Sequence, residues 1–97
     1  MLLLLSLFAC ADDARIGEVL YLTPDTEAGA TLYADSCAGC HGEDATGGSG
    51  PDLVGELSHT DEHLLGYIID GDGEMPSYAD WTDQELADVM GYLRSLE

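Results

Sequence analysis

Residues 37–41 read Cys-Ala-Gly-Cys-His. Two thiols three positions apart, followed at once by an imidazole, make a pattern with definite chemistry. On a helical turn, positions i, i+3 and i+4 share one face. Cys37 and Cys40 can therefore each form a thioether to one vinyl group of a haem, while His41 sets a ring nitrogen beneath the iron. C-x-x-C-H is the attachment signal for a c-type haem. The competing readings are poorer. A C-x-x-C redox pair normally stands beside a βαβ pattern, and none is visible in the chain. A structural zinc site takes four protein ligands; Cys37, Cys40 and His41 supply three, two of them adjacent.

An iron ligated by His41 needs a second axial partner, and Met75, Met90, His59 and His63 are the candidates. Met90 falls on the apolar stripe of a helix and is most simply core. His59 and His63 stand among Ser58, Thr60, Asp61 and Glu62, where a solvated histidine is the default. Met75 sits in a loop before Pro76, which fixes its own φ and biases the preceding residue to an extended shape. A loop can reach over a haem, and Met75 has no other evident task, so Met75 is expected as the sixth ligand.

Three helical segments must position these groups. The first starts near Asp25 or Thr26, either of which can cap it. Gly29, Leu32, Tyr33, Ser36, Cys37, Cys40 and His41 then form one face leading into the motif. The second spans about 60–70, capped by Ser58 or Thr60, with Leu64, Leu65, Ile68 and Ile69 as its stripe and Gly71 as its stop. The third opens on Thr82-Asp83-Gln84-Glu85, a capping box, and continues with Leu86, Val89, Met90 and Leu93 at i, i+3, i+4 and i+7. The stretch from Gly42 to Leu57 is rich in Gly, Asp and Ser and is expected to be irregular. No strand pattern competes, so the expected class is all-α.

The chain has 97 residues, which allows one domain. A core that small is marginal and usually needs a staple; a covalently held apolar plate would serve. The formal charge is −18, with Arg15 and Arg94 the fixed cations. That excludes nucleic acid, which needs clustered Lys and Arg, and electrostatic adhesion to anionic lipid. An acidic face instead steers basic protein partners, and equally suits solubility in salty surroundings.

Met1 to Ala9 carry a leucine-rich run too short to span a bilayer, as expected of a signal peptide over residues 1–9. Leu7-Phe8-Ala9-Cys10 resembles a bacterial lipobox, which implies lipidation of Cys10. The cysteine count agrees: of three cysteines, two serve the haem and the third stands where an anchor belongs. Residues 10–25 are then the lipidated cysteine and a tether, in which Val19-Leu20-Tyr21-Leu22 is expected to lie strand-like on the domain. The protein is expected to be exported to the bacterial periplasm and membrane-anchored.

From about Glu27 to Leu96 the chain resembles small monohaem class I c-type cytochromes. Gly29 and Tyr33 ahead of Cys37-Ala38-Gly39-Cys40-His41-Gly42, then Gly50-Pro51-Asp52-Leu53, then Met75-Pro76, then Tyr92-Leu93 occur in that family's order. The resemblance implies a cytochrome c domain over 26–97, three to four helices wrapped around one covalent haem c. It also implies that the first and last helices cross, with Gly29 near Tyr92 or Leu93. The Pro51 carbonyl would accept a hydrogen bond from the second nitrogen of His41. Tyr67, Tyr78 and Trp81 would line or flank the pocket, for which ordinary packing suffices. With both axial positions filled, the expected function is one-electron transfer between redox proteins, without a small-molecule substrate and without enzymatic chemistry. The alternatives are a fixed electron-entry subunit of a larger oxidoreductase, or a haem-based peroxidase or gas sensor, which would need an open sixth site.

Overall fold

The structure is a computed structural model that describes residues 14–43, 45–48, 52–71, 73 and 75–97. Residues 14–21 are helical (α1). They are followed by α2 (Thr26–Ser36), the single turn α3 (Ala38–His41), the single turn α4 (Leu53–Glu56), α5 (Asp61–Asp70) and α6 (Asp83–Arg94). There is no strand among the described residues, and the class is all-α as expected.

Each long helix begins where its side-chain chemistry dictates. The Asp25 carboxylate accepts from the Ala28 amide, and the Thr60 hydroxyl from His63, satisfying amides that have no partner inside the helix. Thr82 and Glu85 form the reciprocal capping box in full. At the other end of α5, Gly71 takes φ 75° and its amide closes on the Tyr67 carbonyl.

The organising contact is the crossing of α2 over α6, which meets backbone to backbone at Gly29. A Cβ there would lie 2.5 Å from the Asp88 carbonyl carbon and 3.0 Å from the Tyr92 Cβ, so only glycine permits this approach. Tyr33 and Tyr92 pack one turn further on, ring centroids 5.3 Å apart. Asp88 is buried at this crossing and was not singled out by the sequence. Its carboxylate accepts from the Asp25 amide and the Gln84 side-chain amide, both at 2.8 Å. A buried carboxylate so bonded ties α6 to the cap of α2. Leu64, Leu65, Ile68 and Ile69 of α5 close the core against Leu86, Val89, Met90 and Leu93 of α6.

Two expectations are corrected. The segment assigned to a tether over 10–25 is neither slack nor strand-like where it is described. It is helical from 14 to 21, with Ile16 and Val19 buried in the common core. Ile16, Val19 and Leu20 are spaced i, i+3, i+4, and burying side chains of this kind stabilises by about 1.5–3 kcal/mol each. The packed unit therefore begins before residue 26. The second correction is α4, a turn inside the stretch expected to be irregular; the Asp52 carboxylate caps it by accepting from the Gly55 amide at 3.1 Å. The N-terminal leader over 1–9, Cys10 and Pro51 lie outside the described residues. No helix among the described residues is long and apolar enough to cross a membrane.

Candidate haem site

α2 delivers the motif. Its last turn closes when the Cys37 amide donates to the Tyr33 carbonyl at 2.8 Å. α3 restarts immediately, with the Cys40 and His41 amides donating to the Cys37 carbonyl at 3.1 and 3.0 Å. Cys37, Cys40 and His41 thus share one helical turn. Cys37 is half-buried against the core, Cys40 is exposed and the His41 side chain is buried. Both thiols are free. Burial, reinforced by Cys40, pushes the Cys37 thiol up to about 11, so at neutral pH this sulfur carries its proton.

The glycine-rich stretch folds onto the back of this turn. The Gly47 amide donates to the His41 carbonyl at 2.7 Å, and the Tyr33 hydroxyl donates to the Gly42 carbonyl at 2.7 Å. Ala45 is fully buried at φ 64°, a conformation that costs a non-glycine residue about 1–2 kcal/mol. Its carbonyl accepts from the Leu53 and Val54 amides at 2.8 and 3.2 Å, which holds it there and starts α4.

Met75 is half-buried against the core, in the loop between α5 and α6. The loop doubles back tightly over Gly71, where a Cβ would stand 2.6 Å from the Met75 carbonyl oxygen. Ser77 donates through its hydroxyl to the Ile69 carbonyl at 2.6 Å, and the Tyr78 amide donates to Ile68 at 2.9 Å. The Tyr78 hydroxyl then donates to the Ser36 carbonyl at 3.0 Å, one residue ahead of Cys37. Burial, then Cys37 and Cys40, raise the Tyr78 phenol above its ordinary range. Tyr78 therefore stands beside the thiol pair and brings the Met75 loop to the motif. The family resemblance implied that this tyrosine lines or flanks the pocket by ordinary packing; its hydrogen bond to a partner 42 residues away was not foreseen.

The other candidates fall where local chemistry placed them. Met90 is buried in the core. His59 and His63 are exposed, stacked on each other at 4.4 Å, with His59 3.3 Å from Glu56. Tyr67 is exposed and meets His63 edge-on. Trp81 packs on Tyr78 at 4.7 Å.

These residues fit a covalent haem. Two free thiols and a buried imidazole share one turn, and half-buried Leu53, Met75, Tyr78 and Trp81 offer apolar surface on the same core. Among the described residues no three His, Cys, Asp or Glu side chains are grouped to hold a bare metal ion.

Both arginines are taken up in ion pairs within the chain. Arg15 pairs with Asp83, and Arg94 pairs with Asp61 and Glu97 while donating to the Leu57 and His59 carbonyls. The outer surface is left to carboxylates.

Comparison with known proteins agrees with this geometry. The family model described as cytochrome C oxidase, cbb3-type, subunit III matches residues 24–93. A cytochrome c-553-like protein of Synechocystis sp. is 31% identical over 85 residues, covering 87% of this chain and 81% of its own. Cytochrome c-551 of Bacillus subtilis is 49% identical over 49 residues, 50% of this chain and 44% of its own. A menaquinol:cytochrome c reductase cytochrome c subunit of Geobacillus thermodenitrificans is 34% identical over 77 residues, and this chain spans 30% of its length. Cytochrome cL of Hyphomicrobium denitrificans superposes with a TM-score of 0.64 at 27% identity, covering 71% of this chain and 45% of that one. Matched along most of its length by sequence and by fold, the chain belongs to the c-type cytochromes, as a small class I member whose prosthetic group is a covalently bound haem c.

Proposed function

We propose that this cytochrome is a one-electron carrier in which Cys37 and Cys40 hold the haem through thioethers, and His41 and Met75 ligate the iron on opposite faces. The observation that carries this reading is the tie from Tyr78 to Ser36, which brings the Met75 loop against the attachment turn. Bound haem c supplies an iron that alternates between ferrous and ferric states. With His41 and Met75 as its two protein ligands, the iron would have no open position for a substrate. The thioether of Met75, compared with a second imidazole, favours the ferrous state. Burial of the haem in an apolar shell would do the same by disfavouring added positive charge. The surface carboxylates act in the opposite sense, weakened by salt. By the family resemblance the carbonyl of Pro51, which lies outside the described residues, would accept from the second nitrogen of His41 and fix its ring.

In this reading the protein is exported and lipid-anchored through Cys10 on the periplasmic side, and meets redox proteins with basic docking surfaces. The carboxylate-rich surface, with both arginines already paired within the chain, supports such partners. A second reading has a specific observation in its favour. The matching family model is of an oxidase subunit, and one relative is a reductase subunit. Permanent residence in one multi-subunit oxidoreductase would be seen as co-purification after gentle extraction. The test of the leading reading is Met75→Ala. The variant should lose the near-infrared methionine–iron band, bind carbon monoxide when reduced, and have a lower potential; retention of all three properties contradicts the assignment.

A further inference from the structure

Arg15 lies outside the region matched by the family model, on the helix that precedes it. With 20 carboxylates in the chain, an arginine has many exposed partners to choose from. This one spends its guanidinium on the last part of the Met75 loop. Its Nη1 donates to the Ala79 carbonyl at 2.5 Å, its Nη2 donates to the Trp81 carbonyl, and its Nε pairs with Asp83 at 2.9 Å. Residues 79, 81 and 83 are thus gripped by one planar fork, which only a guanidinium supplies. The helix that presents the fork is itself fixed, because Ile16 and Val19 are buried in the common core. The loop then has two independent ties. The inner one joins Ser77 and Tyr78 to the end of α5 and to Ser36; the outer one is Arg15.

We propose that α1 is a strap on the axial-ligand loop, with Arg15 the positioning residue that keeps Met75 seated. This rests on Met75 being the sixth ligand. A loop freed at residues 79–83 retains its inner tie but gains the freedom to lift, so exogenous ligands compete better for the iron while the α2–α6 core is untouched.

The test compares Arg15→Gln, Arg15→Lys, Arg94→Gln and Met75→Ala in the haem-loaded protein, reading imidazole affinity of the oxidised form and amide exchange at Tyr78 and Trp81. Arg94 makes a comparable fork on the far side, at Leu57, His59 and Asp61, and is the control for general destabilisation. Arg15→Gln should raise imidazole affinity about tenfold, the effect of losing about one charge-assisted hydrogen bond of loop restraint, and speed exchange at Trp81 well beyond that at Tyr78, whose inner tie to Ile68 remains. Arg15→Lys keeps the charge beside Asp83 and loses the fork, so it should move the same way. It carries the test if the glutamine variant fails to load haem. Arg94→Gln should lower the melting temperature and leave imidazole affinity within about twofold of the parent. Equal ligand affinity in Arg15→Gln and parent, a full rescue by lysine, or an Arg94→Gln response as large as that of Arg15→Gln overturns the proposal. If Met75→Ala leaves imidazole affinity unchanged, the ligand assignment fails and the strap proposal with it; a Met75→Ala response beside a silent Arg15→Gln defeats the strap alone.

Discussion

Replacing Gly29 by alanine attacks the contact on which the site is built. The added Cβ would stand 2.5 Å from the Asp88 carbonyl carbon, where carbon atoms prefer about 3.5–4.0 Å. The neighbour is backbone, so no side chain can rotate away, and α6 must withdraw by about 1 Å. A gap of that size forfeits between a quarter and a half of each dispersion contact across it. Overpacking of this kind costs about 3 kcal/mol, offset by about 1 kcal/mol of helix propensity gained over glycine. The net loss of about 2 kcal/mol lowers the melting temperature by about 8–16 °C for a domain of this size. Gly17 is the control. It is exposed within α1, with no atom within 4 Å of its Cβ position, so Gly17→Ala should be neutral or stabilising by up to about 1 kcal/mol. Thermal unfolding of the haem-loaded proteins, followed by circular dichroism, separates the two. A Gly29→Ala variant that melts at or above the parent refutes the backbone-contact argument.

The remaining predictions concern charge and hydrogen bonding. Asp88→Ala leaves the Asp25 amide without its 2.8 Å partner and should cost about 1–3 kcal/mol, read as a lower denaturant midpoint with an unchanged slope. Because the chain carries −18 with both arginines paired internally, added salt should raise the melting temperature by screening repulsion and slow association with a basic partner; a partner whose association rate ignores salt contradicts electrostatic docking. In the haem-free chain, burial lifts Cys37 from 9.0 to about 11. A raised acid pKa in the folded state means unfolding releases a proton above pH 9. Whatever stability the haem-free chain has should therefore be greatest below pH 9 and decline as pH rises toward 11, read as a falling denaturant midpoint. The haem-loaded protein, with that sulfur in a thioether, should lack the Cys37 part of this dependence.

What could be read from sequence was local chemistry. Asp25, Thr60 and Thr82 cap the long helices because a short oxygen-bearing side chain meets amides two or three residues away. The 37–41 turn is equally local. Gly29 was placed at the crossing of the first and last helices by the family resemblance, and the structure bears that out. α1 was missed although Ile16, Val19 and Leu20 have helical spacing, because the segment follows Cys10, whose lipobox assigned it to a tether. Ala45 could not be foreseen, since a left-handed alanine is held by bonds from α4 rather than by its own preference. The loop ties from Tyr78 and Arg15 join residues 42 and 64 apart. No local pattern encodes them, and they decide where Met75 goes.

Mass analysis of the peptide spanning residues 37–41, from protein matured in a host competent for haem attachment and stripped with acidified organic solvent, tests the account most directly. The account predicts one haem retained on that peptide through both sulfurs, with neither thiol open to alkylation. A peptide of unmodified mass, with both thiols alkylated readily, contradicts it.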